Sequence, residues 1–300
     1  MRPAAIMAAL MLASLPARAQ DKPPERVTVT GTRDHKVIQD FVKTFAAPTR
    51  VSGKITRWGQ GICPQTVGLN PAAVKFVNDR LRAVARQIDA PVDDHSDCAV
   101  NIEIVFTTTP QAMIDNVRKD KPDLLGYADN TEKLDALAAV TRPIQAWYMT
   151  QTRDLRGNVL TDVAHRNGPG VEIPCGPTPC YLPDAAIFKT SDSRLGDGLR
   201  SEFQHVIVAA DPTKLTDCAM GQVADYIALV ALAQVATPDA CQPIASIANL
   251  LASGCDSNPD GLSDNDLAYL SGLYHMHATY DWRLQQNEIV SRIETRTTGQ

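Results

Sequence analysis

The chain has 300 residues, 44% of them hydrophobic and 21% charged, with seven cysteines and a formal net charge of −5. That length is ample for a buried core, and the composition excludes a disordered chain, a collagen and a coiled coil. The acidic balance argues against a nucleic-acid partner, which requires a basic footprint.

Residues 1–19 have the form of a secretory signal peptide. Arg2 supplies the positive start, Ala4 to Leu15 the apolar stretch, and Ala17-Arg18-Ala19 a small-x-small cleavage site. A membrane anchor needs about 20 apolar residues, more than this stretch holds. Loss of Arg2 and Arg18 with the leader takes the net charge from −5 to −7. The leader is bacterial in style, so the expected address is the periplasm or the cell exterior. No later run is long enough to span a bilayer: Tyr226 to Ala236 covers about half a span and is broken by Gln234. The expected organisation is a signal peptide over 1–19, an N-terminal extension over 20–50 and one domain over 51–300.

Within the extension, Val27-Thr-Val-Thr-Gly31 alternates like a short edge strand. The run also resembles the energy-coupling box of TonB-dependent outer-membrane receptors, but that family needs a long β-barrel for which this chain has no room. Residues 35–45 read as a helix and Lys54 to Trp58 as a strand. Asn70-Pro71 opens a long helix, since Asn caps well and Pro suits the first helical position. Val74, Val77, Leu81, Val84, Ala85 and Ile88 follow at helical spacing. Asn101 to Phe106 is an alternating strand, and Pro110–Lys119 and Thr131–Ala139 read as helices. Ile144–Thr152 and Val159–Asp162 predict a hairpin around Arg156-Gly157-Asn158. Residues 166–198 hold five glycines and five prolines, too many for a long regular element. Such a segment is either functional or a stapled surface insertion. Phe203–Ala210 follows as a strand. Thr216–Gln234 is a helix apolar on nearly every side, hence central and buried. Ile244–Leu251, Ser263–Tyr274 and Trp282–Arg296 complete the helices. The fold class expected is α+β: one domain, with a mixed sheet packed on a long helix and on a buried central helix.

Export makes the cysteines bridges rather than metal ligands, and the chain has no CxxC pair. The expected pairs are Cys63 with Cys98, Cys175 with Cys180 around Gly-Pro-Thr-Pro, and Cys241 with Cys255. Other pairings of the six stay open. Cys218 is left over at the start of the apolar helix, where no histidine lies nearby in sequence to activate it. Familiar catalytic signatures are missing: the chain has no GxxxxGK[ST] loop and no GxSxG elbow.

The order of elements carries one resemblance. A strand with Arg57-Trp58 precedes a long helix and the Asn101-Ile-Glu-Ile-Val-Phe106 strand. A buried helix and Leu262-Ser-Asp-Asn-Asp-Leu-Ala-Tyr-Leu-Ser-Gly-Leu-Tyr274 come much later. This resembles zincin-type metalloproteases and uncharacterised exported bacterial proteins of the same layout, over roughly residues 54–276. The resemblance implies a zinc helix with HExxH. The corresponding stretch is Ala224-Asp225-Tyr226-Ile227-Ala228, and no histidine lies between His205 and His275. A zincin-like scaffold here would therefore be degenerate, with Asp225 its remaining acid and more plausibly a structural group than a catalyst.

Asp256, Asn258, Asp260 and Asp264 match the first half of a calcium loop, with Gly261 at the turn. Position twelve is Leu267 instead of glutamate, and the competing reading is a polar turn in which Ser263 and Asp266 form a capping box. His275 and His277 sit just past a helix end, where cationic side chains suit the dipole. The sequence thus points to an exported, disulfide-braced protein with no cofactor and no identified catalytic residue. Its expected role is a non-catalytic binding or envelope-associated domain with an envelope protein as a possible partner class. A hydrolase with an unidentified site, in the 166–198 region for example, and a calcium-stabilised interaction module are the alternatives.

Overall fold

The structure is a computed structural model that describes residues 30–162, 171–173, 180–182, 196–235, 239–256 and 258–298. The signal peptide, residues 27–29 and most of the 166–198 segment lie outside the described residues, while Thr30 and Gly31, the end of the run expected as an edge strand, open a helix instead. The helices are α1 (Thr30–Phe45), α2 (Pro71–Gln87), α3 (Pro110–Asp120), α4 (Thr131–Leu137), α5 (Met220–Leu232), α6 (Asp264–His275) and α7 (Trp282–Thr298). The strands are β1 (Pro64–Val67), β2 (Ile102–Phe106), β3 (Ile144–Arg153), β4 (Val159–Thr161), β5 (Val171–Ile173), β6 (Cys180–Leu182) and β7 (Arg200–Ala210). Five strands form one mixed sheet in the order β1-β2-β7-β3-β4. β1, β2 and β7 run parallel, whereas β3 is antiparallel to both β7 and β4. β5 and β6 make a separate antiparallel pair. The chain is α+β, as its pattern predicts.

Helices cover both faces of the sheet. The larger core joins one face to α1, α2, α5, α6 and α7 through residues such as Phe41, Leu81, Ile104, Val208, Tyr269 and Ile289. It reaches back to Ile38, inside the 20–50 segment. The smaller core gathers Ile114, Leu125, Ala138, Trp147, Ile207 and Ala209 on the other face. α5 lies between sheet and outer helices, with every residue from Val223 to Leu232 buried, which explains its apolar circumference.

A buried helix end leaves carbonyls without partners. Here aromatic side chains supply them. Tyr148 Oη donates to Val230 O at 2.9 Å, Trp58 Nε1 to Ala231 O at 2.9 Å and Tyr274 Oη to Leu232 O at 2.9 Å. Ala233 N closes onto Leu229 O at 3.1 Å. All four terminal carbonyls of α5 are therefore satisfied in the core.

The strand expected over Lys54–Trp58 reduces to one bridge, Arg57 with Glu202. Side chains hold this segment instead of a ladder. Lys54 Nζ donates to Thr279 O and Tyr280 O, and Gln285 Oε1 accepts from Ile55 N. The Arg57 guanidinium donates to Leu273 O, Tyr274 O and Met276 O at the end of α6, where the helix dipole favours a cation. The unexpected strand is β1. The Cys63–Cys98 disulfide and the Asn101 side chain pin its start to β2: Asn101 Oδ1 accepts from Cys63 N and Nδ2 donates to Gly61 O, both at 2.8 Å. The buried helix begins at Met220 rather than Thr216, with Gln222 Oε1 accepting from Ala219 N. Ile244–Leu251 tightens to a 3-10 turn over Ile247–Leu251. There the Asn249 side chain bonds Gln242 N, Gln242 O and Ile244 O, inside the loop closed by Cys241–Cys255.

Glu202 is the second buried polar centre. It accepts from Arg200 Nε at 2.7 Å, Arg153 Nε at 2.9 Å and Gln151 Nε2 at 3.1 Å. A side chain at Gly59 would run into its carboxylate. Burial pushes the Glu202 carboxyl up, but Arg153, Gln151 and Arg200 together hold it below its ordinary value.

Two stability effects follow from these centres. Tyr274→Phe strands Leu232 O in the core, and chemical denaturation should show a loss of about 1–3 kcal/mol. Glu202 has a folded pKa below its unfolded one, so its contribution is complete above about pH 4.3 and disappears as pH falls through the lower folded value. Melting curves from pH 6 to pH 3 should show a steeper fall for wild type than for Glu202→Gln, which starts lower.

Candidate functional site

β4 pairs only with Gln151–Arg153 of β3. Among the described residues, the first half of β3 pairs with β7 on one side. A cleft of about 410 Å³ lies along that half, within the range of small-ligand sites. Ala146, Trp147, Tyr148 and Thr150 of β3 line it, with Ala47–Val51, Leu125–Tyr127, Leu137 and Val235 around them. Because the cleft follows a strand edge, side chains from both sheet faces reach it.

Most polar groups on its wall are already paired. Trp147 Nε1 donates to Leu137 O at 2.7 Å and Thr150 Oγ1 to Asp162 Oδ2 at 2.7 Å. Gln145 Oε1 accepts from Thr141 N at 2.8 Å, and its Nε2 donates to Ala139 O at 2.9 Å. Tyr148 is capping α5, and burial pushes its hydroxyl pKa up. Gly126 has φ +108, and a Cβ there would stand 2.9 Å from Tyr148 O. Glycine thereby lets the loop after α3 close over the strand. The exception is Gln234, whose Oε1 is buried with no hydrogen-bond partner among the described residues. At the mouth, Arg50 bonds Asp129 at 2.8 Å and Lys133 bonds the same carboxylate. Lys133 first, and with it Tyr127 and Arg50, hold the Asp129 carboxyl below its ordinary value against the opposing effect of burial.

Sequence reasoning found none of these cleft residues as a site. Gln234 was visible only as the polar interruption of an apolar run, and that was the one available signal.

The residues singled out in the sequence lie elsewhere. Asp225 accepts from Arg80 through both oxygens and from Leu262 N at 3.0 Å, so it ties α5 to α2 and to the loop before α6. Ala224 and Ala228, at the would-be ligand positions, are packed in the core. Asp264 is the first residue of α6, and Asp256, Asn258 and Asp260 lie in the preceding loop. Among the described residues no group of three or more His, Cys, Asp or Glu is placed to hold a metal ion. The loop itself is anchored to α5, since Gln222 Nε2 donates to Pro259 O at 2.7 Å. The Ser263–Asp266 capping box is formed, and the fully buried Asp266 also accepts from Ser246 Oγ and Ile247 N. Burial pushes the Asp266 carboxyl up, against those donors.

His275 accompanies Ser271 and Asp89 at the end of α6, while His277 pairs with Glu288 at 2.7 Å and stacks on Tyr280. Cys63–Cys98 and Cys241–Cys255 are bonded. Cys175 and the side chain of Cys180 lie outside the described residues, and with them the third expected pair. Cys218 is free and half-buried in the turn before α5, and burial raises its thiol pKa, which opposes reactivity.

Comparison with protein-family models, with curated proteins and with solved structures finds no match to this chain.

Asp225→Asn removes charge-assisted bonds from a buried anchor. Denaturation should report a loss of about 1–3 kcal/mol, whereas a stability equal to wild type would mean that Arg80 and Leu262 do not depend on it.

Proposed function

We propose that this is a non-catalytic binding protein, exported across the inner membrane, that takes a small and mostly apolar ligand into the cleft along β3. The observation that carries this reading is the state of the cleft wall. Its aromatic and aliphatic surface is concave and preformed, and its hydroxyls and indole N–H are committed to structural bonds. No histidine, cysteine or carboxylate is among the described residues that line it. Such a surface offers apolar contact and little proton chemistry, which suits binding rather than turnover. Export rests on the leader and on two bonded cysteine pairs, which persist in oxidising compartments. Among the described residues no helix is long and apolar enough to cross a membrane.

An environment-sensitive anilinonaphthalene dye tests the reading. It should bind saturably at one site per chain. Ala136 is exposed on α4 and lines the cleft mouth, so Ala136→Trp fills the entrance without entering the core. The variant should bind the dye at least about tenfold more weakly, a change of about 1.4 kcal/mol, with an unchanged Tm. Absence of binding, or binding indifferent to Ala136→Trp, would refute the proposal.

A further inference from the structure

Two segments that line the cleft come from distant parts of the chain, Ala47–Val51 and Leu125–Tyr127. An ion pair ties the first to the residues that follow the second: Arg50 Nη2 lies 2.8 Å from Asp129 Oδ2. Both side chains reach solvent, Arg50 at 63% and Asp129 at 31% exposure, so the pair is weak enough to break and re-form. Lys133 bonds the same carboxylate from four residues further along, so that bond stays on one side. Lys133, Tyr127 and Arg50 hold the carboxyl below its ordinary value, which keeps it charged through the neutral range. Asp162, which also acts on Tyr127, is taken up by the Thr150 and Thr152 hydroxyls of β3.

The chain is anchored on either side of Arg50. Tyr269 Oη donates to Phe45 O and Gln286 Nε2 to Ala46 O, both at 2.9 Å. Beyond the loop, Gln285 Oε1 accepts from Ile55 N at 2.9 Å, and Lys54 Nζ donates to Thr279 O and Tyr280 O. Between these anchors the loop bonds to itself. Lys54 O accepts from Thr49 N at 2.9 Å, Thr49 O accepts from Gly53 N at 3.0 Å, and the Thr49 and Ser52 hydroxyls meet at 2.8 Å. Gly53 has φ +63, a conformation that glycine adopts without strain. The result is a small self-closed loop with fixed ends, whose Arg50 reaches to Asp129.

We propose that residues 47–53 are a lid on the cleft and that the Arg50–Asp129 ion pair is the latch that holds it shut. The lid swings on its two anchored ends when the pair breaks, and the ligand enters and leaves while it is open. This rests on the cleft being the binding site, as proposed above. The latch makes the same bond over an empty cleft and a filled one. It therefore sets the rate of exchange and leaves the affinity alone.

Stopped-flow mixing of the full chain with the uncharged dye 1-anilinonaphthalene tests the latch. An uncharged dye keeps electrostatic steering out of the rates. Asp129 lies outside the cleft lining, so Asp129→Asn breaks the pair without altering the wall. The variant should raise the association and dissociation rate constants together, by about two- to fivefold at low salt, with Kd changed by less than about twofold. Arg50→Gln, from the other side of the pair, should reproduce the acceleration. Sodium chloride at about 0.5 M should speed exchange in wild type and have little effect on Asp129→Asn, because it screens the pair. Lys133→Gln should exchange the dye as wild type does. Unchanged rates in Asp129→Asn overturn the proposal. So does equal acceleration by Lys133→Gln, which assigns the effect to the start of α4, and so does faster release with unchanged association, which makes the pair a binding contact. The two readings fail differently: a dye insensitive to Ala136→Trp removes the cleft, whereas a dye bound there with rates indifferent to Asp129→Asn removes only the latch.

Discussion

The C-terminal end of α5 is the constraint around which the rest of the molecule is arranged. A helix apolar on all sides can sit in the middle of a domain, but its last carbonyls then have no water. The fold brings Trp58, Tyr148 and Tyr274 to three of them, from three distant parts of the chain. Each of these side chains presents an apolar body to the core and one donor at its tip. That combination lets the helix end be both dry and paired. The same contacts fix β3 and α6 relative to α5, because Tyr148 and Tyr274 belong to those elements.

A second set of bonds fixes the segment that carries Trp58. Arg57 reaches the end of α6 while its backbone bridges to Glu202, so one residue links two buried centres. The 3.1 Å bond from Phe203 N to Arg57 O continues that link to β7. The segment therefore behaves as a strut between the sheet and the C-terminal helices. Its irregular backbone is tolerated because side chains, rather than a ladder, satisfy it.

Elements whose causes are local were legible in the sequence. Asn70 caps α2 through a 3.0 Å bond to Ala73 N, as the Asn-Pro pair indicated. The alternation of Ile102–Phe106 gave β2, and Ser263 with Asp266 gave the start of α6. What stayed hidden depends on distant partners. Lys54–Trp58 alternates like a strand, yet Arg57 finds carbonyls 216 to 219 positions away. β1 begins with proline and is four residues long, and it owes its place to Cys98 and Asn101. Asp225 was legible as a structural acid, though its partner Arg80 was not. The cleft was not legible at all, since no short motif encodes a wall assembled from β3, the Ala47–Val51 segment and the loop around Gly126.

A strand edge is a general hazard, because an exposed edge invites pairing with other chains. Here the edge of β3 is closed in stages. β4 covers Gln151–Arg153, the Asp162 backbone covers Thr150, and Gly126 lies against Tyr148. The loops from Ala47 to Val51 and around Ala136–Ala139 wall in what remains. Such walls hinder a further strand from adding to the edge, which lowers its aggregation risk. The concave apolar wall that results is of the kind that small-ligand sites use. Trp147 and Tyr148, which line the cleft, each donate to a helix-end carbonyl, Leu137 O and Val230 O, so the side chains that form its wall also hold α4 and α5, and the buried Gln234 Oε1 is left there without a structural bond among the described residues.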